Sequence, residues 1–320
     1  MTFLLFLIGF VVLIKGGDWL VSGSTSIAKR YGLSDMVVGL TIVSFGTSAP
    51  ELIVNIISSL SGSSEIAIGN VIGSNISNIL LIIGVTAIIC DLPIKRDTLL
   101  SEIPFSLSAA VLVGFLANAA LFDSKSTLLI SRGDGGILLF FFVLFLAYIF
   151  RIAKEQVENG EEEGEKLEVL PMRKSVALLL GGFIGLFLGG KWVVDGAIAM
   201  AKWLGMSETF IGLTVIAIGT SLPELVTSVV AASKKSVDIA IGNAIGSNIF
   251  NVLWILGISA VIKPLPFAVL NNTDILVLIF SSSLLILSLA TGKRHAIDRN
   301  DGILFVVLYA LYTAFCIYRG

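Results

Sequence analysis

Residues 32–88 and 205–261 align without a gap at a constant offset of 173. Whatever one segment folds into, the other must fold into as well. The agreement is concentrated in two places. GTSAPEL at 46–52 answers GTSLPEL at 219–225, and IAIGNVIGSNISN at 66–78 answers IAIGNAIGSNIFN at 239–251. Trp19 and Trp192 keep the same offset, as do Gly23 and Gly196, so the duplication reaches back into the preceding segment of each half.

The repeated unit is apolar. Of 320 residues, 56% are hydrophobic and 14% charged, with a mean hydropathy of +0.98, too apolar for a single water-surrounded core. A bilayer-crossing helix needs about 20 apolar residues. Ten stretches qualify, at 3–28, 35–58, 66–90, 101–121, 135–152, 175–203, 208–231, 239–262, 273–291 and 302–318. Nothing basic precedes the first, whose earliest cation is Lys15, so it reads as a retained helix and not a secretion signal. Five spans per half is an odd number, so the second copy enters the membrane in the opposite sense. The expected fold is an all-α membrane protein of ten transmembrane helices in two inverted five-helix repeats. Residues 1–152 and 175–320 form the repeats, and 153–174 an acidic linker.

With the N-terminus outside, the cytoplasmic loops would carry 14 cations and the opposite side five, so the positive-inside bias places both termini outside. Lys15 and Lys191 lie within spans, each about a turn from a carboxylate, Asp18 and Asp195, and local pairing is expected to offset their burial. The linker, containing EQVENGEEEGEKLE, lacks the alternating ligands and mid-loop glycine of an EF-hand and reads as a solvated connection. Two distant cysteines, Cys90 and Cys316, and one histidine, His295, give no disulfide framework and no zinc or catalytic constellation. A net charge of -2 gives no sign of nucleic-acid binding.

The chemistry lies in the duplicated motifs. Glu51 and Glu224 each put a carboxylate in the middle of an apolar span, where an ionised group costs several kcal/mol without a partner. Neither motif contains a cation, so a metal ion or a proton from solution must serve. Pro50 and Pro223 cannot donate to the carbonyls of Gly46 and Gly219, which frees two oxygens. Thr47 and Ser48 lie four and three residues before Glu51, on its helical face, and Thr220 and Ser221 repeat this before Glu224. Ser74 with Asn78, and Ser247 with Asn251, add hydroxyl and amide oxygens at i, i+4. An all-oxygen set suits Ca2+ and Na+ over zinc or copper. Singly, such groups usually bond back to their own helix or join two helices. It is the duplicated constellation with its buried glutamates that marks a site. Asn70, Asn75, Asn243 and Asn248 read as scaffold, and Asn55 and Thr227 are left undecided. Glycine pairs 69/73 and 242/246 permit close helix approach.

Through GTSxPE at 46–51 and 219–224 and GxxxGSNxxxN at 69–78 and 242–251, the chain resembles the calcium/cation antiporter superfamily over essentially its whole length, and within it a compact prokaryotic sodium/calcium exchanger. The resemblance implies that Glu51 and Glu224 bind Ca2+ with the backbone oxygens of Thr47 and Thr220. It also implies Na+ sites built from Ser48, Ser74, Ser221, Ser247 and the main-chain oxygens of Ser44 and Ala217. Such exchangers often carry an aspartate at one of the positions held here by Asn78 and Asn251, so a third carboxylate is absent. By the same analogy an asparagine at 251 speaks against K+ dependence. The short linker replaces the long regulatory loop of animal exchangers.

The expected function is therefore Ca2+/Na+ antiport by alternating access in a prokaryotic cell membrane, by a lipid-embedded monomer with no resident cofactor. Two ionised glutamates give the empty site -2, Ca2+ brings it to zero, and three Na+ would bring it to +1, so the ions compete for shared charge. Glycine-rich spans one and six would slide. Ca2+/H+ antiport, and from another class a cation channel, are the rivals. An intramembrane enzyme finds no motif.

Overall fold

A computed structural model describes residues 2–61, 64–119, 128–159, 169–205, 217–291 and 295–319. The long elements are α1 (Thr2–Tyr31), α2 (Asp35–Thr47), α3 (Ala49–Ser61), α4 (Ile66–Ile89), α5 (Thr98–Ala117), α6 (Arg132–Asn159) and α7 (Met172–Trp203). They continue with α8 (Ala217–Thr220), α9 (Leu222–Ser233), α10 (Val237–Ile262), α11 (Asn271–Thr291) and α12 (Arg299–Arg319). Among the described residues eight helices are long and apolar enough to cross a bilayer, or nine if α2 and α3, which meet at a 47° bend, make one span. The seventh expected span, 208–231, lies partly outside the described residues; α8 and α9 are its described portion.

The repeated sequence leaves repeated caps. α1 ends at Gly32, with φ +64, and α7 is followed by Gly205, with φ +75, left-handed positions that favour glycine. Ser34 starts α2 by accepting the Val37 amide on its hydroxyl.

α1 and α7 pack along nearly their whole length. Gly9 faces Gly189 and Val193, Gly16 faces Gly185 and Leu186, and Gly23 faces Ser175 and Leu179. One number falls as the other rises, so the two helices run antiparallel. An added Cβ at Gly16, Gly23, Gly182 or Gly189 would come within 2.6–2.8 Å of facing backbone atoms, so these glycines let the backbones touch. The two spans expected to slide are thus one closely packed pair.

α4 and α10 are the most enclosed helices, with 72% and 78% of their most apolar windows buried against 11% for α12. Around them contacts are exchanged. α4 meets α12 at Gly84 and Gly302, and α10 meets α6 at Gly257 and Gly135. β1 (Leu92–Pro93), just after α4, pairs antiparallel with β4 (Ala296–Ile297), just before α12. β3 (Leu265–Pro266), just after α10, pairs with β2 (Leu129–Ile130), just before α6. The two helices that carry the repeated GNxIGSN sequence, α4 and α10, therefore pack on α12 and α6 respectively.

The expected close approach at Gly242 and Gly246 is present, against Gly39, Leu40 and Ser44 of α2. At Gly69 and Gly73 an added Cβ would meet nothing within 4 Å; Gly212 and Leu213, the counterparts of Gly39 and Leu40, lie outside the described residues. One ion-pair expectation is corrected. Lys191 does pair with Asp195, at 3.0 Å on an exposed face of α7. Asp18, however, pairs with Lys234 beyond the end of α9 and not with Lys15, because Asp18 faces the neighbouring helix while Lys15 is exposed.

Candidate ion-binding site

The helix carrying each glutamate breaks where the proline requires it. At Ser48 the backbone has φ -83 and ψ 7, and at Ser221 φ -88 and ψ 5, so both motifs leave the helix at the same residue with the same geometry. The chain resumes as α3 and α9, which places Glu51 and Glu224 in the first turn of a new helix. There the exposed amides and the helix dipole favour a negative side chain, one physical reason that these carboxylates are tolerated in the interior.

Both are 1% exposed. Neither has an ion-pair partner among the described residues. Ser48 Oγ donates to Glu224 Oε1 at 3.0 Å, linking the first motif to the second. Asn243 adds a second link: its Nδ2 donates to the Glu224 main-chain oxygen at 3.2 Å and to Ser228 Oγ at 3.0 Å, while its Oδ1 accepts from Thr47 Oγ1 at 3.0 Å.

The expected site residues lie on α2, α3, α4, α8, α9 and α10 or at the breaks between them; Ser48 meets Glu224 directly and Thr47 meets it through Asn243. Ser44, Thr47, Ser48, Ser74, Asn78, Ser221, Ser247 and Asn251 are all buried, and Thr220 is half-buried. Ala217 opens α8, but its surroundings lie outside the described residues. Glu51 Oε2, Glu224 Oε2, Asn78 Oδ1, Asn251 Oδ1, Ser221 Oγ and Ser247 Oγ are buried with no hydrogen-bond partner in the protein. Native interiors rarely leave such atoms unsatisfied, and of sixteen among the described residues six fall on residues singled out as ligands. No group of three His, Cys, Asp or Glu side chains occurs among the described residues. A guest ion would therefore meet two carboxylates supplemented by neutral oxygens, a set matched to hard cations.

Not every hydroxyl points inward. Ser44 Oγ donates back to Leu40 O at 2.9 Å, and Thr47 Oγ1 has Val43 O at 3.1 Å as an acceptor alternative to Asn243 Oδ1, the local bonding usual in helices. Sequence reasoning missed three π-helical turns, Gly39–Val43, Asn78–Ile83 and Phe250–Ile255. The latter two contain Asn78 and Asn251, and such turns occur often at functional sites. Asn55, undecided before, donates to Ala67 O and accepts from Asn70, so it braces α3 against α4. Thr227 Oγ1 is buried without a partner.

A cleft of about 230 Å³ reaches this region, lined by Pro50, Gly190, Lys191, Asp195, Thr220 and Pro223. It touches the proline of both motifs and the Lys191–Asp195 pair.

An enclosed cluster of paired carboxylates and neutral oxygens between broken apolar helices defines an integral membrane cation transporter. Comparison fixes its family. The sodium/calcium exchanger protein family matches residues 1–151 and 174–318, and the chain belongs to it and to the calcium/cation antiporter superfamily. Putative antiporter CaxA of Alkalimonas amylolytica is 36% identical, covering 96% of this chain and 95% of its own length. Sodium/calcium exchanger MaX1 of Methanosarcina acetivorans is 33% identical, covering 99% of both chains. A solved structure of the sodium-calcium exchanger NCX_Mj, soaked without Na+ or Ca2+, superposes with a TM-score of 0.80 at 34% identity over 98% of each chain. The relatives are exchangers and not enzymes, and this chain is a calcium/cation antiporter.

Proposed function

We propose that this antiporter exchanges Ca2+ for Na+ by alternating access. Glu51 and Glu224 would serve as the shared anionic ligands. Thr47 and Thr220 backbone oxygens would complete the Ca2+ site, and Ser48, Ser74, Ser221, Ser247 and the main-chain oxygens of Ser44 and Ala217 the Na+ sites, with Asn78 and Asn251 beside them. The observation that carries the reading is that two uncompensated buried carboxylates and four neutral oxygens, on Asn78, Asn251, Ser221 and Ser247, all lack a protein partner. Proton exchange would need the carboxylates alone, whereas the added hydroxyl and amide oxygens favour a metal ion.

The architecture proposed is ten spans in two inverted five-helix repeats, residues 1–152 and 175–320, joined by the acidic segment 153–174. The antiparallel run of α1 against α7 and the exchanged contacts of α4 with α12 and α10 with α6 support it. The bias of loop cations supports an orientation with both termini outside, in a prokaryotic cell membrane. The ions are substrates, no resident cofactor is required, and one chain suffices because both glutamates come from it.

Exchange follows from charge. Emptied, the site carries two negative charges in a low-dielectric interior and resists crossing; Ca2+ neutralises it, and three Na+ leave one positive charge. One load excludes the other, and the cycle moves net charge. The test is radiolabelled Ca2+ uptake into proteoliposomes under a Na+ gradient, a pH gradient, or both, with the membrane potential set by valinomycin. Uptake driven by Na+ and accelerated by the potential is expected. Uptake driven by the pH gradient alone would overturn the sodium reading, and currents far above carrier turnover would indicate a channel.

A further inference from the structure

Two asparagines outside the proposed ligand set hold the two inside it. Asn78 Nδ2 donates to Asn248 Oδ1 at 2.9 Å, and Asn251 Nδ2 donates to Asn75 Oδ1 at 3.0 Å. The four residues are related by the repeat offset, so each half's outer asparagine grips the other half's inner one. All four are 1% exposed. Asn75 is itself anchored, because its Nδ2 donates to the main-chain oxygen of Asn248 at 3.0 Å.

A carboxamide has two ends of nearly equal size and opposite polarity. A cation accepts the oxygen end and is repelled by the NH2 end. With the NH2 ends of Asn78 and Asn251 tied to acceptors on the facing helix, their Oδ1 atoms are the ends left over, and both are buried without a protein partner. Turning either amide over would set two carbonyl oxygens against each other and aim N–H groups where the ion belongs. Asn251 is the more firmly set, since the acceptor it uses is fixed by Asn75's own donation, whereas Asn248 Nδ2 has no partner.

We propose that Asn75 and Asn248 are positioning residues that fix the carbonyl ends of Asn251 and Asn78 toward the ion across the repeat interface, and thereby set cation affinity. The proposal rests on the ion-exchange reading above. It assigns a role in binding to two residues that touch no ion, and it makes each half's affinity depend on the other half being in register, because a relative shift of α4 and α10 would release both amides at once.

The test uses the whole protein in liposomes and reads half-saturation for Ca2+ and Na+ separately from maximal rate. Asn248→Leu and Asn75→Leu remove the acceptors and are expected to raise both half-saturation values about ten-fold, with maximal rate changed less than about three-fold. The decisive comparison is the same Asn248→Leu change in an Asn78→Asp background. A carboxylate offers oxygen whichever way it is turned, so the penalty should shrink to about two-fold. A ten-fold penalty in both backgrounds, or none in either, overturns the proposal, and the background comparison also covers an Asn75→Leu protein that fails to fold. Glu51→Gln separates the two readings. If Glu51→Gln abolishes Ca2+ uptake while Asn248→Leu leaves both half-saturation values unchanged, the positioning role alone is wrong. If Glu51→Gln exchanges normally, the site itself is wrong.

Discussion

Ser48 Oγ donates to Glu224 Oε1 at 3.0 Å, whereas Ser221, its counterpart 173 residues on, has a buried hydroxyl with no protein partner. The duplicated sequence is thus used unequally. A hydrogen bond to a buried carboxylate contributes about 1.5–3 kcal/mol, while an unsatisfied buried hydroxyl costs about 1–3 kcal/mol. Ser48→Ala should therefore lower the melting temperature in cation-free buffer, and Ser221→Ala should leave it unchanged or raise it. Both should weaken Na+ half-saturation, by about ten-fold, more than that of Ca2+. Differential scanning fluorimetry with flux assays checks this; equal thermal shifts would show that the asymmetry is without consequence.

Glu51→Gln and Glu224→Gln keep shape and remove charge. Each variant should lose more than about a hundred-fold of Ca2+ uptake. Each should also be more stable than the parent in chelator, since one of two neighbouring like charges is gone from the interior. Ca2+ at a hundred times its dissociation constant should stabilise the parent by about 2.7 kcal/mol. That gain should vanish in both variants, and a calcium-dependent shift that survives would remove Glu51 and Glu224 from the site.

Gly182 lies where α7 meets α1, and a Cβ there would stand 2.6 Å from Leu20 N and 2.8 Å from Leu20 Cα. Backbone cannot rotate away as a side chain can. Gly182→Ala should destabilise the protein by about 1–3 kcal/mol, as overpacking does. Gly136→Ala in α6, with nothing within 4 Å of its Cβ, should gain up to about 1 kcal/mol from helix propensity. Thermal unfolding in one detergent reads both, and a neutral Gly182→Ala would mean that the two helices separate at no cost.

What was legible in the sequence was what local rules decide. Pro50 and Pro223 predict a broken helix, and the breaks fall at Ser48 and Ser221. Glu51 and Glu224 stand out because nothing beside them neutralises their charge. What was not legible depends on partners far along the chain. Lys15 is three residues from Asp18, so a local reading pairs them, but the side chain that reaches Asp18 is Lys234. The exchange between Asn75 and Asn251 and between Asn78 and Asn248 needs the halves docked before it exists, so these outer amides read as generic scaffold. The π turns at Asn78–Ile83 and Phe250–Ile255 carry no proline or glycine signal that would announce them in advance.

Lys234 also sets an asymmetry between the two ends of the site. Its Nζ reaches the Asp18 carboxylate, the Asp18 main-chain oxygen at 3.3 Å and Ser22 Oγ at 2.8 Å, so it ties the end of α9 to α1. The cleft beside Lys191 and Asp195 lies farther along the α1–α7 pair, past the level where Gly16 meets Gly185. Ser61 stands at the position equivalent to Lys234 in the first half and Lys191 at the position equivalent to Asp18, so the repeat does not reproduce the Lys234–Asp18 pair. Half-exposed ion pairs contribute up to about 1 kcal/mol, or about five-fold in an equilibrium. Lys234→Met should shift the protein toward opening at the Lys234 end. Apparent Ca2+ half-saturation should then improve from that side and worsen from the cleft side by up to about five-fold, because a conformational preference taxes binding on the disfavoured side. Asp18→Asn should do the same, and the double variant no more than either single change. Lys191→Met breaks an i, i+4 pair that lies within one helix, so it should move both values by less than about two-fold. Right-side-out and inverted vesicles give the two half-saturations, and an equal change from both sides would show that the Lys234 contact holds the fold together without biasing which end opens.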